Sequence, residues 1–165
     1  MSTSRRYITQ QIIVNALVNF FLALLISWGL MGSLEEIPIW FSTENLLDPS
    51  VIGDIVVGSF LLGLLFTAIV TQFIRADLKK GKVNDLAQSD AHKWMPQALF
   101  TRALIFGVGC MLVGFSMVGV ILTLDIDSVR VTDYIVLHAI YVGALVCPLT
   151  VAVVKCAQLE RRIDA

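Results

Sequence analysis

The sequence predicts an all-α integral membrane fold: one domain over residues 1–165, a four-helix bundle running up-down-up-down with both termini in the cytoplasm. Three observations carry that prediction. The chain is 57% hydrophobic and only 15% charged, with a mean hydropathy of +0.82, whereas a soluble domain averages roughly 25% charged residues. Its charges leave four stretches empty, Tyr7–Leu34 (28 residues), Ile55–Ile74 (20), Ala103–Leu124 (22) and Tyr134–Val154 (21), each enough for a bilayer crossing of about 20 residues. Lys and Arg divide unevenly between the connections, which sets orientation.

The first span, about 8–31, follows Ser4-Arg5-Arg6. Its uncharged run is about twice the 7–15 apolar residues of a signal peptide, and Gly32-Ser33-Leu34-Glu35-Glu36-Ile37-Pro38 offers no cleavage site, so it is read as a retained helix. The connection after it holds Ile37-Pro38-Ile39-Trp40-Phe41, too apolar for water. With Trp28 and Trp40 beside it, this segment is expected to rest in the outer headgroup layer.

The second span covers about 54–74, and Gly81 is a plausible end for its helix. The connection beyond is basic: Arg75, Lys79, Lys80 and Lys82 are expected to attract anionic lipid. Lys93 follows, and Trp94-Met95-Pro96 marks re-entry into the inner interface. The third span, about 98–124, begins with Arg102, which is expected to snorkel to the headgroups. The fourth, about 133–154, contains Pro148, a source of bending. Spans two and four both enter through an aspartate and leave through a base, Asp54 to Arg75 and Asp133 to Lys155, a faint internal repeat of a kind seen in transporters.

Eleven of the twelve basic residues lie at the termini and between spans two and three, leaving Arg130 alone opposite them. Short basic connections stay cytoplasmic. A multi-pass protein of the cell inner membrane follows, with both ends inside.

Polar residues within a span are expensive in hydrocarbon, so they should face other helices or a cavity. Gln11, Asn15 and Asn19 recur every fourth residue and place three amides along one face of the first span. They suit a polar pathway or fix helix register. Ser59-Gly63-Thr67-Thr71, Cys110-Gly114 and Ala139-Gly143-Cys147 form small-residue ladders that let backbones approach closely. Within them, Thr67 and Thr71 are expected to lend hydroxyls to the pathway. His138 is the one histidine within a span and lies near the outer level of Asp54, so the two form a candidate protonatable pair. Against that stands a helix-capping role for Asp54 and Asp133, with His138 bonding Tyr134 or Tyr141.

A net charge of −1 gives no pull toward nucleic acid. The three cysteines make no C-x-x-C pair. No catalytic constellation, cofactor motif or metal-ligand spacing is visible, so the chain is read as not an enzyme, without cofactor or metal.

Asn15-x-x-x-Asn19, then Trp28-Gly29 and Glu36-Ile37-Pro38, resemble uncharacterised small four-helix proteins of bacterial inner membranes, sometimes labelled permeases. The resemblance covers about 35 residues and implies the same four-helix topology without implying a substrate. Two functions remain open. One is a small transporter, permease or channel-like protein; the other is a structural or accessory subunit of a larger membrane complex. Either is expected to assemble further, as a homo-oligomer or with partners.

Overall fold

The structure is a computed structural model that describes residues 3–41, 48–81, 96 and 98–163. Four helices dominate it: α1 (Thr3–Met31), α2 (Val51–Lys79), α3 (Leu99–Leu122) and α4 (Val131–Ile163). All four are long and apolar enough to cross a membrane. α2 runs past the C-terminal end of its charge-free stretch because Lys and Arg at a helix end cost little there and favour the negative end of the dipole. Lys79 occupies the last turn of α2.

The start of α2 is set by Ser50, whose hydroxyl accepts a hydrogen bond from the Gly53 amide at 3.2 Å. Asp54 therefore lies inside the first turn rather than at the cap. Asp133 likewise falls in the first turn of α4, where it pairs with exposed Arg130 at 2.8 Å. The end of α2 falls where the sequence places it. The Gly81 amide donates to the Leu78 carbonyl at 3.1 Å with φ at +70°, a left-handed position that glycine adopts without strain.

The helices pair in a nested order, the middle two with each other and the first with the fourth. The principal contacts join α1 to α4 and α2 to α3, and the pairs meet where α2 lies along α4. Gly63 against Gly107 and Cys110, with Gly114 against Ser59 and Ile55, shows α2 and α3 antiparallel. Asn15 to Thr150 and Ser27 to His138 show the same for α1 and α4. Asp54 to Tyr134 and Ser59 to Tyr141 show α2 and α4 parallel.

Two features depart from the expectations. The first is a pair of short strands in an otherwise helical fold. The connections α1–α2 and α3–α4 meet as antiparallel strands β1 (Glu36–Pro38) and β2 (Ser128–Arg130), with Ile37 opposite Val129. Ile39 N to Asp127 O at 2.9 Å and Val131 N to Glu35 O at 3.1 Å continue the ladder on either side. Alternate residues of a strand face opposite sides, so Ile37 and Ile39 turn inward and are 0% and 1% exposed. These two side chains plug the end of the bundle. Trp40 and Phe41 remain on its exposed side.

The second is Arg102, which is 1% exposed and does not reach outward. Antiparallel packing from Gly63–Gly107 puts it beside the middle of α2.

Apolar clusters fill both halves. Toward the chain termini lie Phe66, Val70, Ile74, Leu78, Val146 and Val153. At the strap end lie Met31, Ile37, Ile39, Val51, Ile52, Val118 and Tyr134. Cys110, Cys147 and Cys156 form no disulfide among the described residues, and Pro148 sits inside α4 on an exposed face. Lys79 and Lys80 are exposed and Arg75 is half-buried. Lys82, His92, Lys93, Trp94 and Met95 lie outside the described residues.

Candidate functional site

The main polar node sits one layer beneath the strap and joins three helices. Asp54 in the first turn of α2 accepts a hydrogen bond from the Tyr134 hydroxyl of α4 at 2.6 Å. The same carboxylate oxygen lies 3.4 Å from His138 Nδ1, one turn further along α4. Ser27 of α1 approaches that Nδ1 at 3.0 Å. The rings of Tyr134 and His138 stack with centroids 5.5 Å apart and planes 8° from parallel. The spacing i, i+4 brings both onto one helical face. The His138 side chain is 10% exposed and that of Asp54 24%, so the carboxylate is the better hydrated partner.

A single ring nitrogen faces two oxygens here, and that restricts its chemistry. Nδ1 carries either a proton or a lone pair. With a proton it donates to the Asp54 carboxylate or to the Ser27 oxygen. With a lone pair it accepts from the Ser27 hydroxyl, and Asp54 keeps only Tyr134. Without that proton His138 ties α4 to α1 alone, and with it the ring can also turn its bond to Asp54 of α2.

The amides of α1 continue away from this node. Asn15 Nδ2 donates to Thr150 Oγ1 at 3.4 Å, and Asn19 Nδ2 donates back to the Asn15 carbonyl at 2.8 Å. Gln11 lies half-buried one turn beyond. At the far end Tyr7 donates to Asp77 of α2 at 3.2 Å. Tyr7, Gln11, Asn15, Asn19 and Ser27 all belong to one series of fourth residues, with buried Ala23 filling the gap. The three-amide stripe is the middle of this longer polar seam.

Thr67 and Thr71 do not join it. They continue the stripe of Gly63, whose face meets Phe106, Gly107 and Cys110, and so lie toward α3. Both are 0% exposed, and neither hydroxyl has a hydrogen-bond partner among the described residues. The shared pathway expected of amides and threonines is divided because α1 packs on α4 while α2 packs on α3. Between the two seams, Ser59 and Tyr141 bond at 2.8 Å.

Sequence reading missed Ser27, Tyr7, Thr150 and the pairing of Ser59 with Tyr141. Extending the every-fourth-residue series in both directions from Gln11 reaches Tyr7 and Ser27. No comparable signal marks the partners on other helices. His138 stacks on Tyr134 rather than hydrogen-bonding it. Among the described residues, no group of three His, Cys, Asp or Glu is placed to hold a metal ion.

No family model matches the chain, and neither does any curated protein or solved structure. The class defined by fold and site is a packed array of four apolar helices, compatible with a multi-pass membrane protein and crossed at one end by a His–Asp node.

Proposed function

We propose that the chain is a small permease- or channel-like protein of the cytoplasmic membrane that moves protons, or a solute together with a proton. The observation that carries this reading is the meeting of Asp54, His138 and Ser27 from three helices around one ring nitrogen. An ionisable pair within membrane-crossing segments is costly, and proton relays and ion pathways are its usual setting. The uneven division of Lys and Arg supports an orientation with both termini in the cytoplasm, which puts the strap and the node at the outer face. The amide seam on α1 then supplies polar contacts from the node toward the cytoplasm. Arg75, Lys79 and Lys80 at the inner end of α2 suit anionic headgroups, and the apolar outer faces of α1 and α3 leave room for association with further copies.

The test is proton flux into liposomes carrying the purified protein and a trapped pH-sensitive dye, with a potassium-diffusion potential as drive. Asp54→Asn, His138→Ala and Asn15→Leu are each expected to abolish flux while the folded protein still accumulates. Flux that falls only in step with the amount of folded protein would refute the reading. Co-purification in one particle with larger polypeptides, without flux from the isolated chain, would point to the accessory-subunit role.

A further inference from the structure

We infer that the β1–β2 strap is an outer gate over the Tyr134–His138 side of the node: it keeps water from these two rings while paired and admits it when β1 lifts away. The inference deepens the proton-linked reading and rests on it for its purpose, although the physical claim concerns only water access to the node.

The strap is joined directly to the site. The ladder reaches α2 through Ile52 N to Ile39 O at 3.2 Å, two residues before Asp54. It reaches α4 through Val131 N to Glu35 O at 3.1 Å, three residues before Tyr134 and seven before His138. Strand separation therefore pulls on the first turns of the two helices that hold the node.

Its inner face is a plug. Ile37 and Ile39 pack in one cluster with Val51, Ile52, Ile55 and Tyr134, the residue whose hydroxyl holds Asp54. Nothing polar from β1 enters that layer, so water reaching Tyr134 along the axis of the bundle must displace two isoleucines. The outer face holds only exposed polar links. Ser128 donates to Glu36 at 2.6 Å, while Arg130 turns away from Glu36 to pair with Asp133. Two strands this short are marginal by themselves. Such elements lie at the easily opened end of a protein's local stabilities. A well-packed bundle closed by its weakest element is suited to gating at that element.

Glu36 and Arg130 are directly opposed and both exposed. They form a non-hydrogen-bonded pair, because the flanking ladder bonds fall at 35/131 and 39/127. Such pairs have Cα atoms about 4.5 Å apart, within the range a disulfide spans. The experiment uses Glu36→Cys with Arg130→Cys in a background where Cys110, Cys147 and Cys156 are replaced by alanine. The protein is placed in nanodiscs of phosphatidylethanolamine and phosphatidylglycerol. Hydroxyl-radical footprinting with mass spectrometry then reads water beside Tyr134 and His138, with Trp28 and Trp40 as exposed controls. Oxidising the pair is expected to lower modification of Tyr134 and His138 at least fivefold relative to the reduced, alkylated protein, with both tryptophans unchanged. Ile37→Ala, which opens the plug without a cross-link, is expected to raise it by a similar factor. Equal modification with the strap locked and free overturns the inference.

Proton flux in liposomes of the same lipids separates this claim from the broader one. Flux that persists through the locked strap overturns the gate and leaves the transport reading standing. A locked strap that excludes water, in a protein carrying no flux when unlocked, upholds the gate and refutes transport.

Discussion

Replacing Gly63 with alanine probes a close contact between α2 and α3. A Cβ on Gly63 would lie 2.7 Å from the Phe106 carbonyl oxygen, 2.9 Å from Gly107 Cα and 2.9 Å from Cys110 Sγ. The first two are backbone atoms and cannot rotate aside, so α2 and α3 must separate by about 0.7 Å to restore an ordinary contact near 3.4 Å. Overpacking of this kind costs about 1–3 kcal/mol. Alanine returns up to about 1 kcal/mol through its better helix propensity, leaving a net loss of roughly 0–2 kcal/mol. Gly109 is the matched control. It lies two residues beyond Gly107 on α3, and a Cβ there meets nothing within 4 Å. Gly109→Ala gains the propensity term alone, so the difference between the two variants isolates the contact at about 1–3 kcal/mol. Gly107→Ala, whose Cβ lies 3.1 Å from the Phe60 carbonyl oxygen, falls between them. Unfolding followed by circular dichroism as SDS is titrated into dodecyl maltoside micelles measures all three. Equal stabilities for the Gly63 and Gly109 variants, within about 0.3 kcal/mol, or a more stable Gly63 variant, would refute the reasoning.

Two further outcomes are expected in the same assay. Thr67→Val and Thr71→Val each remove a buried hydroxyl that has no partner among the described residues, so each is expected to raise stability by about 1 kcal/mol; a loss would mean that the hydroxyls are satisfied in the membrane. A double-mutant cycle of Ser59→Ala and Tyr141→Phe is expected to give a coupling near 0.6 kcal/mol, with about 1.7 kcal/mol as the ceiling seen for such bonds between membrane helices. A coupling of zero would show that the 2.8 Å contact contributes nothing to holding α2 on α4.

The helices were legible because their cause is local. A run such as Ile55–Ile74, without one charge, has nowhere to go in water and must satisfy its own backbone in hydrocarbon. Placing Asp54 and His138 near one level needed only the rise per residue and an alternating path through the bilayer. That Asp54 stands 3.4 Å from His138 depends on α2 and α4 being neighbours, and no local pattern encodes a choice of neighbour. The strap was hidden for the same reason. Two three-residue strands are too short to establish a period of two, and Glu36 finds its partner across 94 positions at Arg130. Snorkelling of Arg102 follows from its own helix alone, whereas its 1% exposure depends on which helices pack around it, and no local pattern encodes that.

The nested pairing of the helices also governs how the protein can be made. α2 and α3 meet as consecutive helices, but α1 finds its main partner in α4, whose first residue, Val131, is synthesised 100 residues after Met31. At about 5–20 residues per second, the first helix waits roughly 5–20 s for that partner. During this interval the face bearing Asn15 and Ser27 has nothing from α4 to bond. The packing of α1 is thus completed only when α4 emerges. A chain stopped before Val131 would present an unmet polar seam in its first helix, the kind of defect that membrane quality control can recognise.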